Sequence, residues 1–243
     1  MNLQLLIYGY HLYQAFVCIF ALFIDETQTT PSKYIVNPHP FTYILNNELL
    51  CQERNADLLI WVHSATYNFK KRLLIRETWG NPLSFRTHNA GLVFFLGMTK
   101  NTTLQGMVEY ENEVYGDIVQ ETYLDSYKNL TYKAIQGAKW TSDFCKSAKL
   151  ILKTDDDVVV DIYLLLKHIQ SLQETNRVLN NTILCHVIYN GKVDRGPSKW
   201  STTKKEYPKD KYPPYCPGLA IVMTGDIIPK LYNASLYEPF FWG

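Results

Sequence analysis

Four short apolar runs constrain this chain more than any other feature: LLIWVHSA (58–65), GLVFFLG (91–97), KLILK (149–153) and ILCHVI (183–188). Each is bounded by polar residues or Gly. Runs of this length without polar alternation suit strands buried on both faces. Segments of helical period lie between them. LQGMVEYENEVYG (104–116) is one, and 126–146 places Leu130, Ala134, Ile135 and Ala138 on a common face. DIYLLLKHIQSL (161–172) is a third. Strands alternating with helices predict an α/β class built round a mainly parallel sheet, with ligands collecting at the carboxyl ends of its strands. With 243 residues, 47% of them hydrophobic, the chain has enough apolar material for one sizeable core. Its 24 basic and 23 acidic residues leave a net charge of +1, which provides no field to recruit nucleic acid or an anionic membrane surface.

Residues 1–24 carry no Asp, Glu, Lys or Arg and end in the apolar stretch LYQAFVCIFALFI (12–24). No basic residue precedes this stretch and no A-x-A-like cleavage site follows it, so 1–24 is expected to be an uncleaved signal-anchor. A cleaved signal and a buried helix are the alternatives. Residues 25–50, with Pro31, Pro38 and Pro40 and no sustained apolar period, read as a stem or linker, and 51–243 as the main domain. Acceptor tripeptides for N-glycosylation begin at Asn101, Asn129, Asn180 and Asn233, consistent with secretory entry. Apart from Cys18 in the apolar stretch, four cysteines remain: Cys51, Cys145, Cys185 and Cys216. An even number is compatible with two disulfides in an oxidising lumen, while their wide spacings do not suit a zinc site. Their connectivity is open.

KLILKTDDDVVVD (149–161) sets three carboxylates side by side after one of the apolar runs. A solvated acidic turn that caps the next helix would account for them. The alternative is a counter-charge. A divalent cation such as Mn²⁺ or Mg²⁺ takes oxygen ligands, often one or two carboxylates together with substrate phosphates. In extended backbone Asp155 and Asp157 face one side, toward such a metal, and Asp156 the other. A calcium loop of the EF-hand kind is excluded, because Val159, Val160 and Leu166 occupy positions that need a ligand, a Gly and a Glu. An aspartyl phosphotransferase remains an alternative, although several elements precede the triplet.

Several further blocks, taken with the triplet in order, resemble the β-1,3-galactosyltransferase family, which includes β-1,3-N-acetylglucosaminyltransferases and is related to the Fringe enzymes. KKRLLIRETWG supplies Arg72, Arg76, Thr78, Trp79 and Gly80. LVFFLG and ENEVYGDIVQETYLDSYKNLTYKA follow, with Glu113, Asp117, Asp125, Tyr127, Asn129, Leu130 and Lys133. Then come Trp140, Cys145 and LKTDDDVVV, and last KWSTTKKEYPKDKYPPYCPG with Lys199, Trp200, Tyr207, Tyr212, Tyr215, Cys216 and Gly218.

The resemblance implies a GT-A fold, a single-pass type II Golgi membrane protein with a lumenal catalytic domain, and metal-dependent inverting transfer of a hexose from a UDP-sugar to the 3-hydroxyl of an acceptor glycan. By the same resemblance Asp157 is the principal Mn²⁺ ligand, with Asp155 near the metal or donor and Asp156 on the donor ribose or sugar. Arg72 and Arg76 either help build the nucleotide pocket or, four apart on a probable helix, simply pair with Glu77 or with Asp residues at the surface. Lys133 either orients the donor or lies on a wet helix face. Trp200 and Tyr215 either stack on an acceptor sugar or pack under a loop. Asn129, inside a family block, is read as packed. Two departures stand out. Ala220 and Ile221 replace a usual Gly-Tyr pair, and the acidic block expected to carry the general base would lie beyond Gly243, with Glu238 a weak substitute. The domain 51–243 is therefore read as incomplete, and a catalytically silent glycan- or nucleotide-binding protein on the same fold is the second reading.

Overall fold

The computed structural model describes residues 34–85, 88–174 and 180–242. Seven strands form one sheet: β1 (Tyr43–Leu45), β2 (Leu58–His63), β3 (Ala90–Met98), β4 (Ile118–Leu124), β5 (Leu150–Asp155), β6 (Ile183–Leu184) and β7 (Ala220–Thr224). Their order is β1-β4-β3-β2-β5-β7-β6. Six helices of α type accompany them among the described residues: α1 (Leu50–Arg54), α2 (Phe69–Glu77), α3 (Thr102–Tyr115), α4 (Leu130–Phe144), α5 (Ile162–Glu174) and α6 (Ile228–Ser235). This is an α/β fold of the kind expected.

Period-two alternation divides each central strand between two cores. Leu59 and Trp61 of β2, with Val93 and Phe95 of β3, face α1, α4 and α6, where Cys51, Ala134, Ala138, Trp140 and Leu231 receive them. Leu58, Ile60 and Val62, with Leu92, Phe94 and Leu96, face α2, α3 and α5 through Ile75, Val108, Leu165 and Ile169. Burial on both faces is why these strands read as continuous apolar runs. Local chemistry sets the ends of α3. The Asn101 side chain accepts a hydrogen bond from the Leu104 amide at 3.0 Å, and Gly116 closes the helix at φ +62°. Within α4, Gly137 lets the helix lie on Trp61, since a Cβ there would fall 1.9 Å from the indole. Gly137→Ala is expected to cost about 1–3 kcal/mol by overpacking, despite the ~1 kcal/mol that Ala gains in helix propensity. Urea denaturation would measure this, and an unchanged midpoint would mean that the two layers can separate freely.

Three expectations need correction. The sheet is mixed: β4-β3-β2-β5 are parallel, but β1, β7 and β6 join antiparallel. The run 183–188 supplies only two strand residues, because Cys185 turns away into a disulfide with Cys216 and Ile188 bridges Tyr215 instead. Residues 34–50 of the expected linker lie on the domain. Tyr43–Leu45 pairs with β4, His39 Nε2 meets Glu121 Oε2 at 2.5 Å, and Trp140 Nε1 donates to Asn46 Oδ1 at 2.8 Å. A three-residue edge strand is too short to leave a periodic signal.

The second disulfide, Cys51–Cys145, ties α1 to the end of α4. Together the two bridges use all four cysteines of the main domain. No helix among the described residues is long and apolar enough to cross a membrane. The expected anchor at 1–24 lies outside the described residues.

Candidate active site

Parallel pairing brings the ends of β2 and β5 together, with His63 directly opposite Asp155. A cleft of about 300 Å³ opens at these carboxyl ends. Its floor is the β2–α2 loop and the acidic triplet. One wall is the segment from Asp125 to Lys133, which enters α4, and the opposite wall brings Lys199, Trp200, Gly218 and Leu219 from the long excursion between β6 and β7.

The three aspartates have different surroundings. Asp156 is turned into the protein, its side chain only 8% exposed. It accepts from Ser64 Oγ at 2.7 Å, Asn68 Nδ2 at 2.8 Å and Lys71 Nζ at 3.0 Å. Asp155 and Asp157 are more open, at 34% and 39%. Lys153 lies two residues before Asp155 on the same face of β5 and donates to its Oδ1 at 2.8 Å, and also to the Gly218 carbonyl. Burial raises Asp155 and lowers Lys153 from their ordinary values, and their pairing opposes both shifts. Lys71 also reaches Asp157, at 3.8 Å. Burial pulls the Lys71 ammonium down, but the bond to Asp156 and the nearby charges hold it above its ordinary value. Burial, with Lys153 and Lys133 nearby, keeps His63 well below its ordinary value, so the imidazole is neutral.

Part of the answer to the triplet's mutual repulsion is therefore internal. Lys71 and Lys153 were not singled out from the sequence. Lys153 had a readable signal, its i, i+2 relation to Asp155 on a strand. Lys71 had none, being 85 positions from Asp156.

The other expected residues divide into those that line the cleft and those that stand behind it. Lys133 is buried and lines the cleft, donating to the Ser64 carbonyl at 2.6 Å and to both oxygens of Asp125. It does not lie on a wet helix face. Asp125 in turn accepts from the Gly97 amide. Trp200 lines the cleft, and Tyr127 beside it is pushed up to about 12 by burial, with the Asp155 charge adding to the effect. Tyr215 does not line the cleft; it is buried with Val193 and Tyr212 in a small core that supports the excursion.

Arg72 and Arg76 also stand behind the cleft. Arg72 grips Glu111 with two nitrogens and donates to Ser64 Oγ and to the carbonyls of Ala65 and Thr66. Arg76 joins Glu111 to Asp117 and lies over the rings of Phe94 and Tyr115. Their geometry positions the loop that carries Ser64 and Asn68. Glu238, half-buried, is not among the cleft residues. Of the acceptor asparagines, Asn101, Asn180 and Asn233 are exposed, whereas Asn129 is half-buried and donates to the Leu124 carbonyl.

No three His, Cys, Asp or Glu side chains among the described residues converge as a preformed cage for a metal. Two open carboxylates, Asp155 and Asp157, still match in number and hardness what a divalent cation takes from a protein when substrate phosphates complete its shell.

A sequence model of the galactosyltransferase family matches residues 70–243. Beta-1,3-galactosyltransferase 1 of Mus musculus and that of Homo sapiens are each 34% identical over 206 residues, 83% of this chain and 61% of those proteins. Beta-1,3-galactosyltransferase 5 of Homo sapiens is 30% identical over 218 residues, 86% of this chain and 69% of that protein. The chain thus spans about 61% of the length of the first of these relatives.

Proposed function

The chain belongs to the galactosyltransferase family, and on that premise we propose that it transfers a hexose, galactose by preference, from a UDP-sugar to the 3-hydroxyl of an acceptor glycan in the glycosylation of proteins or lipids. The observation that carries this reading is the cleft, in which Asp155 and Asp157 open beside a pinned Asp156 at the carboxyl ends of two parallel strands. In an inverting transfer the acceptor oxygen bonds the anomeric carbon while the bond from that carbon to the diphosphate breaks. The electron pair leaves with UDP, and the hydroxyl proton passes to a base and then to water.

In this reading Asp157 and Asp155 would hold Mn²⁺ or Mg²⁺, which would supply positive charge to the diphosphate as its negative charge develops. Asp156, held by Ser64, Asn68 and Lys71, fixes the β2–α2 loop against the triplet and presents that edge to the donor. Lys133 fixes the opposite edge through Asp125 and the Ser64 carbonyl. Trp200 offers an aromatic face to a sugar. Two disulfides suit an oxidising lumen, and we place the domain on the lumenal side of the Golgi membrane.

Calorimetric titration with UDP, with and without Mn²⁺, tests the metal, and turnover of a panel of UDP-sugars tests the reaction. Mn²⁺ is expected to tighten UDP binding about tenfold or more, and Asp157→Ala is expected to abolish that gain while the thermal midpoint holds. Equal affinity with and without Mn²⁺ would remove the metal from the reading. Transfer from UDP-N-acetylhexosamine but not UDP-galactose would correct the donor.

A further inference from the structure

Charge in the cleft is arranged in close pairs, with one carboxylate and one cation outside them. Four carboxylates and three ammonium groups line it, and Lys153 behind Asp155 brings the two signs level. Lys71 is committed to Asp156, Lys133 to Asp125 and Lys153 to Asp155. Among the described residues Lys199 is the one cleft-lining cation without an ion pair. It projects from the excursion between β6 and β7, exposed, with its ammonium 5.3 Å from the centre of the Tyr127 ring and 5.0 Å from that of Trp200. A cation held over aromatic faces at an exposed site is only weakly bound, and an anion arriving in the cleft can displace that contact. Asp157, with Lys71 no closer than 3.8 Å, is the carboxylate least neutralised from within. The least neutralised carboxylate and the cation without an ion pair therefore line one cleft.

A nucleoside diphosphate bridging the two explains both. With a divalent cation at Asp157 and a doubly charged diphosphate ester beside it, the cleft stays near neutrality only if Lys199 is counted. When the anomeric carbon–oxygen bond breaks, the electron pair remains on the terminal phosphate, and the oxygen that gains charge needs a cationic donor from the chain itself. We propose that Lys199 leaves the Tyr127 and Trp200 rings to bind the terminal phosphate of the nucleoside diphosphate, and so is a substrate-binding residue that stabilises the leaving group. This rests on the donor reading above and adds a residue and an atom to it.

Calorimetric titration of the full chain with UDP and with UMP, in the presence of Mn²⁺, tests the assignment. Lys199→Gln is expected to weaken UDP binding about tenfold or more, the scale of one charge-assisted hydrogen bond, while UMP binding changes less than about threefold. Lys199→Arg is expected to restore most of the UDP affinity. Since Lys199 is exposed, circular dichroism should show both variants folded. UDP affinity unchanged in Lys199→Gln would overturn the inference alone. Equal weakening of UDP and UMP would also overturn it, because the lysine would then act as general field and not at the terminal phosphate. If the wild-type chain bound neither UDP nor UDP-galactose, the donor reading itself would fall, and the inference with it.

Discussion

Glu111→Ala is expected to destabilise the fold by about 3–5 kcal/mol, the cost of stranding buried charge. Glu111 accepts from Arg72 Nε at 2.9 and 3.0 Å, from Arg72 Nη2 at 2.5 Å and from Arg76 Nη1 at 2.7 Å. The Arg72 side chain is fully buried, so no water replaces the lost carboxylate. Arg76 keeps Asp117, whose carboxyl is raised by burial although Arg76 opposes the shift. Arg72 keeps only neutral acceptors. Urea denaturation at neutral pH measures the loss, and Glu111→Gln, which retains an acceptor oxygen, is expected to lose less. A change under 1 kcal/mol for Glu111→Ala would show that the network contributes no net stability. The effect should reach the cleft too. Arg72 Nη1 donates to Ser64 Oγ, and Ser64 Oγ donates to Asp156 Oδ2, so loosening Arg72 frees one of the three donors that pin Asp156.

Removal of the Cys51–Cys145 bridge is the second large effect. It links positions 94 apart, for which the chain-entropy relation gives ~4.7 kcal/mol, against ~3.7 kcal/mol for Cys185–Cys216 at a separation of 31. Measured losses for native disulfides run about 2–5 kcal/mol, and a double replacement by Ser is expected inside that range. The two sulfurs sit in the core that joins α1 and α4, beside Trp140 and Ala148, so Ser also introduces hydroxyls where there is little water. Denaturation of each double variant, with peptide mapping of the wild type, checks both connectivity and cost. Coincident unfolding curves with and without reductant would contradict the expectation. The ordering also discriminates. If the Cys185–Cys216 variant lost more, native-state packing of the excursion would outweigh loop entropy.

What could be read from the chain was what is local or periodic. The apolar runs located β2, β3 and β5, because a strand buried on both faces needs side chains that are all apolar. The spacing of Ala134, Ile135 and Ala138 located the buried face of α4. The order of the blocks pointed to a family whose sequence model matches residues 70–243. The triplet was visible as a concentration of charge with a question attached.

Tertiary structure decided the rest, because it depends on distance through space. Pairing of β2 with β5 brings Ser64, Asn68 and Lys71 to Asp156 across 85 to 92 positions. No local pattern encodes that approach. The same holds for Arg72 and Arg76, whose chemistry suits phosphate but whose position on the inner face of α2 commits them to Glu111 and Asp117. Antiparallel β7 comes from AIVMT, five residues beyond a long excursion, and pairing alone fixes its direction. The sequence determined which residues could carry charge into the cleft. Only the fold decided which of them are used up in holding it together and which remain for a ligand, since an ion pair forms by proximity and the chain alone does not specify proximity.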